Sequence, residues 1–254
     1  MTKVCLIRQH AGLGDILFCL KIARSMTERG YRVVWPVISQ YSFISDYIKI
    51  KNLFFVDENK PFPYKHVYNS GIINIIEQDD FVYIPLQTAD VVFPNIPINE
   101  SKYRLVGLDF RGWEEAVDIH RNQKKEEELY YNVCNLKDDE DYIFFNSLYG
   151  SPPHSKKLKN MEKVYLEKDC FNKIAELEFV DGYNPFDWSL VLENSRSIYT
   201  VDTCFIAIME KLNIKTNNLY MYSRREYDDF MYQIKPYFTD RWNYKDKNLY
   251  LKES

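Results

Sequence analysis

One carboxylate and two glycines lie close together near the start of the chain, in the run Arg8-Gln-His-Ala-Gly-Leu-Gly-Asp. An apolar run precedes it and an amphipathic run follows it, so the pattern predicts a loop between a buried strand and a helix. Glycine allows a tight turn and the close approach of a ligand to the backbone. Asp15 has two interpretations: it caps the amide groups of the helix, or it accepts the proton of a substrate hydroxyl as a general base. His10, Gly12 and Gly14 would line the same loop.

A second group of polar residues follows a predicted strand late in the chain. Asp202, Thr203 and Cys204 lead from that strand into a predicted helix, whose free N–H groups would bind an anion. Ser147 and Lys156 follow another predicted strand, where hydroxyl and ammonium groups suit a diphosphate. The plainer interpretation is that Thr203 only caps the helix, that Cys204 lies buried beneath it, and that the lysine-rich segment is a solvated loop.

Apolar and amphipathic runs alternate along the chain and predict the elements that position these residues. We expect strands at 3–8, 31–37, 53–56, 81–84, 103–108, 142–146, 177–180, 197–201 and 218–222. We expect helices at 15–29, 112–135, 189–195, 203–212 and 227–237, the second of them interrupted near Asn122. Gly30 predicts the end of the first helix, and the proline-bearing segments 57–80 and 85–100 predict long loops.

The alternation of strands and helices begins again at Tyr142, directly after an acidic run that we interpret as the domain boundary. The chain therefore predicts an α/β protein with two Rossmann-like domains, 1–137 and 138–254, facing across a cleft. The acidic run holds an Asp-x-Asp pattern, Asp139 and Asp141, which we interpret as a solvated turn before a strand rather than a metal site.

Composition excludes several classes of function. The 254 residues include 37 acidic and 33 basic ones, and the net charge of −4 argues against a protein that mainly binds nucleic acid or anionic membrane. The five cysteines and four histidines are scattered, which predicts reduced, mostly buried thiols and no metal centre. No apolar run approaches the roughly 20 residues that span a bilayer, and the N-terminal one is too short for a signal peptide. We expect a cytoplasmic protein.

Two segments resemble a known family. Gly-Leu-Gly-Asp-Ile-Leu-Phe at 12–18 resembles the Gly-Asp-x-Leu loop of the ADP-heptose:lipopolysaccharide heptosyltransferase group, in glycosyltransferase family 9. The segment 186–204 resembles the D-x-S-L…D-S-G segment of that family, and the family's next helix corresponds to 207–212. The chain differs where the family has glycine, which is Cys204 here, and where it has histidine, which is replaced by Phe205 and Ile206.

The resemblance implies a GT-B fold and inverting sugar transfer from a nucleotide-diphospho-sugar to a glycan or glycoconjugate hydroxyl, without a metal or other cofactor. It places the acceptor in the N-terminal domain and the donor in the C-terminal domain, and it gives Asp15 the role of general base. For binding the donor diphosphate the sequence itself offers Ser147, Lys156 or Lys157, Asp202, Thr203 and Cys204.

Two alternatives follow from the differences. A relative that has lost activity would still bind a nucleotide or glycan. A dinucleotide-dependent oxidoreductase is disfavoured, because Leu17 stands where the G-x-G-x-x-G fingerprint requires its third glycine.

Overall fold

The computed structural model describes residues 3–147, 173–177, 180–223 and 227–245, and the chain divides into two compact units, Met1–His120 and Arg121–Ser254. The predicted boundary at 137/138 therefore lies inside the second unit. The helical segment that follows Arg121 belongs to the second unit because its buried Glu126 pairs with Arg121, and Arg121 pairs in turn with Glu193 at 2.7 Å.

The first unit is built on a five-stranded sheet. Its strands are β1 (Val4–Ile7), β2 (Arg32–Val37), β3 (Leu53–Asp57), β4 (Ile76–Gln78) and β5 (Phe81–Ile84), in the order β3-β2-β1-β5-β4. All neighbours are parallel except β4 and β5, which form an antiparallel edge. The near-continuous apolar strands suit a parallel sheet that is covered on both faces. The strands predicted at 3–8, 31–37, 53–56 and 81–84 are confirmed, and β4 lies in a segment predicted to be a loop.

The segment 57–80 covers one face of this sheet. Leu6, Val34 and Tyr83 point to that face, and Phe62, Tyr64, Val67 and Ile72 pack against them. The prolines and short helix of this segment therefore form part of the hydrophobic core.

Six helices belong to the first unit: α1 (Leu13–Phe18), α2 (Leu20–Glu28), α3 (Ile44–Tyr47), α4 (Lys65–Tyr68), α5 (Ala89–Val92) and α6 (Ile98–Leu105), in the part of the chain that the structure describes. The last of these corrects the prediction of a strand at 103–108. Pro97 directly precedes α6. Proline occurs at the start of helices as well as in loops, so the proline-bearing pattern did not distinguish the two.

The helix predicted at 15–29 is interrupted at Cys19. In a continuous helix the Phe18 carbonyl would accept the N–H of Ile22. Here it accepts the Tyr103 hydroxyl of α6 at 2.5 Å, and the Ile22 N–H donates to the Cys19 carbonyl at 3.0 Å instead. The Tyr103 hydroxyl of α6 therefore divides the helix predicted at 15–29 into α1 and α2. Gly30, with φ 87°, ends α2 as predicted.

The second unit has a parallel sheet of β6 (Ile143–Asn146), β7 (Ile174–Glu176), β8 (Ser197–Val201), β9 (Leu219–Tyr222) and β10 (Trp242–Lys245), in the order β10-β9-β8-β6-β7. Three predicted strands are confirmed. The pairing with β6 runs through Ile174–Glu176, so the strand predicted at 177–180 begins three residues too late; residues 178–179 lie outside the described part of the chain. β10 was not predicted, because the exposed Asn243 interrupts its apolar pattern.

The second unit's described helices are α7 (Gln123–Glu127), which continues into a π-helix at Glu128–Val133, α8 (Ser189–Asn194), α9 (Cys204–Met209) and α10 (Tyr227–Gln233). The interruption predicted near Asn122 is confirmed: the Asn122 side chain caps α7, accepting the Lys125 N–H at 3.2 Å. Every residue of α9 is buried, so this helix forms part of the core.

Candidate functional site

The loop with the predicted base lies where the first sheet changes direction. In the order β3-β2-β1-β5-β4 the chain moves outward from β1 through β2 to β3 and then returns to the other side of β1 for β4 and β5. Ligands of open α/β sheets bind in the crevice at such a switch point. Arg8 ties the two ends together: its N–H donates to the Ile84 carbonyl and its carbonyl accepts the Gln87 N–H, both at 2.9 Å.

Gly12 and Asp15 depend on each other in this loop. Gly12 precedes α1 with φ 78°, a conformation that favours glycine. The Asp15 carboxylate lies over it, so that a Cβ on residue 12 would overlap Asp15 Oδ2. Asp15 is the third residue of α1 and makes no side-chain capping bond, so the interpretation of Asp15 as an N-cap is wrong.

Asp15 is instead paired with a buried lysine from the other side of the switch point. Lys102 Nζ, on α6, donates to Asp15 Oδ1, and it lies 3.5 Å from Asn99 Oδ1. The Lys102 side chain is 4% exposed and that of Asp15 is 39% exposed. The Asp15 carboxylate is therefore accessible to solvent, whereas the Lys102 ammonium group is buried.

Electrostatics keep this lysine charged. Burial acts to lower the pKa of Lys102, but the charge of Asp15 and the hydrogen bond to it act in the opposite direction, and the pKa is raised above its ordinary value. Burial raises the pKa of the neighbouring Cys19 thiol to about 12, so this thiol is protonated at neutral pH. Cys5 and Cys204 are also buried and Cys134 is partly buried, in keeping with the prediction of mostly buried thiols, and Cys170 lies outside the described residues.

Three successive residues at the end of β1 carry shielded polar atoms. Arg8 Nε, Gln9 Oε1 and His10 Nδ1 are buried and have no hydrogen-bond partner among the described residues. Such a group typically costs about 1–3 kcal/mol, and native proteins hold few of them without a reason such as ligand binding. The Arg8 guanidinium also lies 5.6 Å from the centre of the Tyr68 ring.

The polar residues of the second unit also meet at a switch point, because β6 lies between β7 and β8. Asn146 ends β6 and is fully buried. Its Nδ2 donates to Thr200 Oγ1 at 3.0 Å and to Thr203 Oγ1 at 3.2 Å. One amide thus joins the end of β6 to the end of β8 and to the loop that follows.

The predicted donor residues are placed as follows. Thr203 does not cap α9, because its hydroxyl accepts from Asn146 and its N–H donates to the Val201 carbonyl at 2.9 Å. Cys204 and Asp202 are buried beside it. Ser147 is buried, with its hydroxyl 3.5 Å from Glu176 Oε1. Lys156 lies outside the described residues.

The acidic run is a turn, as predicted. Asp139 has φ 59°, and Asp141 pairs with Arg196 at 2.7 Å. The described residues contain no group of three metal-ligating side chains. They also contain no helix that is both long and apolar enough to cross a bilayer.

Lys102 is the site residue that sequence reasoning missed. The signals for its helix were present: Glu100 and Arg104 form an i,i+4 ion pair, here 2.9 Å long, and basic residues fill the last turn. Its partnership with Asp15 joins residues 87 positions apart, and nothing local in the sequence marks it.

Comparisons with known proteins find likeness in structure alone. No protein-family model matches the chain, and no curated protein sequence matches it significantly. The heptosyltransferase TibC, solved in complex with ADP-D-β-D-heptose, aligns with a TM-score of 0.54 and 11% identity, over 96% of this chain and 63% of that one. A second TibC structure, from enterotoxigenic Escherichia coli, aligns with a TM-score of 0.48 and 12% identity, over 87% of this chain and 58% of that one. A family 9 glycosyltransferase from Veillonella parvula aligns with a TM-score of 0.49 and 9% identity, over 96% of this chain and 86% of that one.

The match to TibC with a TM-score of 0.54 establishes the fold. The protein is an α/β protein with two Rossmann-like sheets, of the kind that GT-B glycosyltransferases have. The fold that the sequence resemblance implied is thus confirmed. The chain spans 63% of the length of that heptosyltransferase.

Proposed function

We propose that this protein is a glycosyltransferase that moves a sugar from a nucleotide-diphospho-sugar to an acceptor hydroxyl, with Asp15 as general base. The observation that carries the proposal is the partly exposed Asp15 carboxylate, held by buried Lys102 at a switch point. The fold it shares with TibC, which was solved with ADP-D-β-D-heptose, supports a nucleotide-sugar donor.

The chemistry assigned to Asp15 is proton acceptance. A sugar hydroxyl is a poor nucleophile until a base takes its proton in the transition state. The acceptor oxygen then bonds to the anomeric carbon, the bond from that carbon to the diphosphate breaks, and the nucleoside diphosphate leaves with the electron pair. A single displacement of this kind inverts the anomeric configuration.

The donor side of the proposal rests on the second unit. The leaving diphosphate needs hydrogen-bond donors or cations. We assign this role to the predicted residues Ser147, Lys156, Asp202, Thr203 and Cys204, of which Thr203 is held in place by Asn146. We propose that transfer needs no metal, that the acceptor is a glycan or glycoconjugate, and that the reaction takes place in the cytoplasm.

Ligand screening and a transfer assay test the proposal. Thermal shifts against UDP, GDP, ADP and CMP and their sugars identify the donor, because a ligand that binds only the folded state raises Tm. Release of the nucleotide is then followed with candidate acceptors, in the presence and absence of EDTA. We expect turnover that survives EDTA and an inverted product in NMR spectra. Loss of turnover in EDTA with recovery in Mn²⁺ or Mg²⁺ would contradict metal-free transfer.

A second candidate function is binding without turnover. It is favoured by Cys204, which stands in the place of the family's glycine. A nucleotide-sugar that raises Tm but is neither hydrolysed nor transferred with any acceptor in the panel would favour this inactive relative.

A further inference from the structure

The Asp15 carboxylate has one committed oxygen and one available oxygen. Lys102 Nζ donates to Oδ1. Oδ2 lies against Gly12 and accepts no hydrogen bond from the described residues. Because the side chain is 39% exposed, a substrate hydroxyl can reach the carboxylate. The proton of that hydroxyl would therefore go to Oδ2.

Lys102 has little freedom to move. Its side chain is buried, and its neighbour Tyr103 bonds to the Phe18 carbonyl at 2.5 Å. The helix that carries the ammonium group is thereby bound to the helix that carries the carboxylate. Long lysine side chains otherwise keep their charge in water, so a buried lysine whose charge faces a solvent-exposed carboxylate needs an explanation beyond packing.

We propose that Lys102 is a positioning residue for Asp15: its ammonium group holds Oδ1 and directs Oδ2 toward the acceptor. This inference rests on the proposed function, since it assigns Lys102 a part in that transfer. The charged and titratable groups around the ammonium are Asp15 and Cys19 at α1, and Asp90 on α5. The two carboxylates favour the charged lysine, and Asp15 is the one in direct contact.

The first experiment measures the effect on the carboxylate without any substrate. In protein labelled with ¹³C at the aspartate carboxyl carbons, the resonance missing from Asp15→Asn identifies residue 15. We expect the chemical shift of this resonance at neutral pH to differ between Lys102→Met and the wild type, because the substitution removes the ammonium group that contacts Oδ1. The matched control is Arg104→Met, which removes an exposed cation from the same helix.

The second experiment measures turnover with the donor that the screen identifies. We expect Lys102→Met to lower kcat by about 10- to 100-fold with little change in the donor KM, since misplacement of a reacting group by about 1 Å has effects of that size. Lys102→Arg, which restores a cation that can donate to Oδ1, should recover part of the lost kcat.

The two experiments separate the possible failures. If the carboxyl resonance of residue 15 is the same in Lys102→Met and the wild type, the positioning role is wrong, whatever the enzyme does. If the resonance changes but kcat does not, Lys102 only stabilises the fold and the proposal is overturned. If the wild type shows no turnover with any donor, the proposed function fails, and with it the role in transfer, while the resonance still reports the contact of the ammonium group with the carboxylate.

Discussion

The two switch points hold their polar side chains by different means. In the first unit an ammonium group and a carboxylate form a pair with one buried and one exposed member. In the second unit an amide and two hydroxyls form a neutral, largely buried network around Asn146. A buried neutral network fixes geometry without the desolvation of a charge, whereas a half-exposed ion pair maintains a charge at the place where a ligand reaches it. The first arrangement suits proton transfer, and the second suits a fixed binding surface.

The largest expected effect is that of Asp15→Asn. As the base, Asp15 should contribute about 10²–10⁴-fold to the rate, while donor affinity changes little. The substitution also leaves the buried Lys102 charge without its partner. Breaking a buried pair typically costs about 3–5 kcal/mol, and the exposure of Asp15 reduces this to roughly 1–3 kcal/mol. Initial rates, donor titrations and urea unfolding measure the three quantities.

The control for that prediction is Asp15→Asn in the Lys102→Met background. It lacks the unpaired ammonium group, so it should recover stability and remain inactive. An active Asp15→Asn protein would remove the contrast between the two switch points, since the first would then have no proton acceptor.

Gly12→Ala should affect the first switch point more than backbone strain alone explains. Gly12 and Gly30 both have positive φ, 78° and 87°, so alanine at either should cost about 1 kcal/mol. Only at Gly12 would the new Cβ overlap Asp15 Oδ2. We expect similar unfolding curves for the two variants, but transfer reduced about 10- to 100-fold in Gly12→Ala alone. Equal activities would show that the carboxylate does not depend on the glycine.

Asn146→Ala tests the neutral network. Its amide joins Thr200 and Thr203, and the loss of both bonds should cost about 1–3 kcal/mol in a fully buried site. We expect weaker binding of the nucleoside diphosphate that the screen identifies, measured by calorimetry. Thr203→Val, which removes only one of the two acceptors, should have a smaller effect on stability. Unchanged nucleotide affinity in a folded Asn146→Ala protein would place the donor elsewhere.

The smallest effect is the pH dependence of the charged pair. The pKa of Lys102 is raised in the folded protein, so its contribution to stability is complete below the ordinary lysine pKa of about 10.4 and is lost as pH rises through the higher folded value. The difference in unfolding free energy between wild type and Lys102→Met should be constant from about pH 7 to 9.5 and then fall by at most about 1.36 kcal/mol per pH unit. A change within the neutral range would mean that another group titrates there.

The sequence could predict the strands and the loops that follow them, because buried parallel strands are continuous apolar runs that glycines and polar residues end. Asp15 and Thr203 were found for that reason. The sequence could not predict that Asp15 pairs with Lys102, or that Thr203 bonds to Asn146 rather than capping α9. Both are contacts between distant segments. The missed α6 has a local cause, since Pro94 and Pro97 suggested a loop at the place where a helix begins.

The order of strands bears on how the protein folds during synthesis. All five strands of the first sheet lie within residues 4–84, and Lys102 follows soon after. The second sheet needs β10, at residues 242–245, to cover its edge strand β9. Because domains generally fold as units while the chain is made, the N-terminal one first, the charged pair can form on the ribosome before most of the second unit is translated. The edge of β9, by contrast, keeps its backbone N–H and C=O groups unpaired until β10 has been made. During that interval we expect β9 to be the strand that most readily binds chaperones or aggregates.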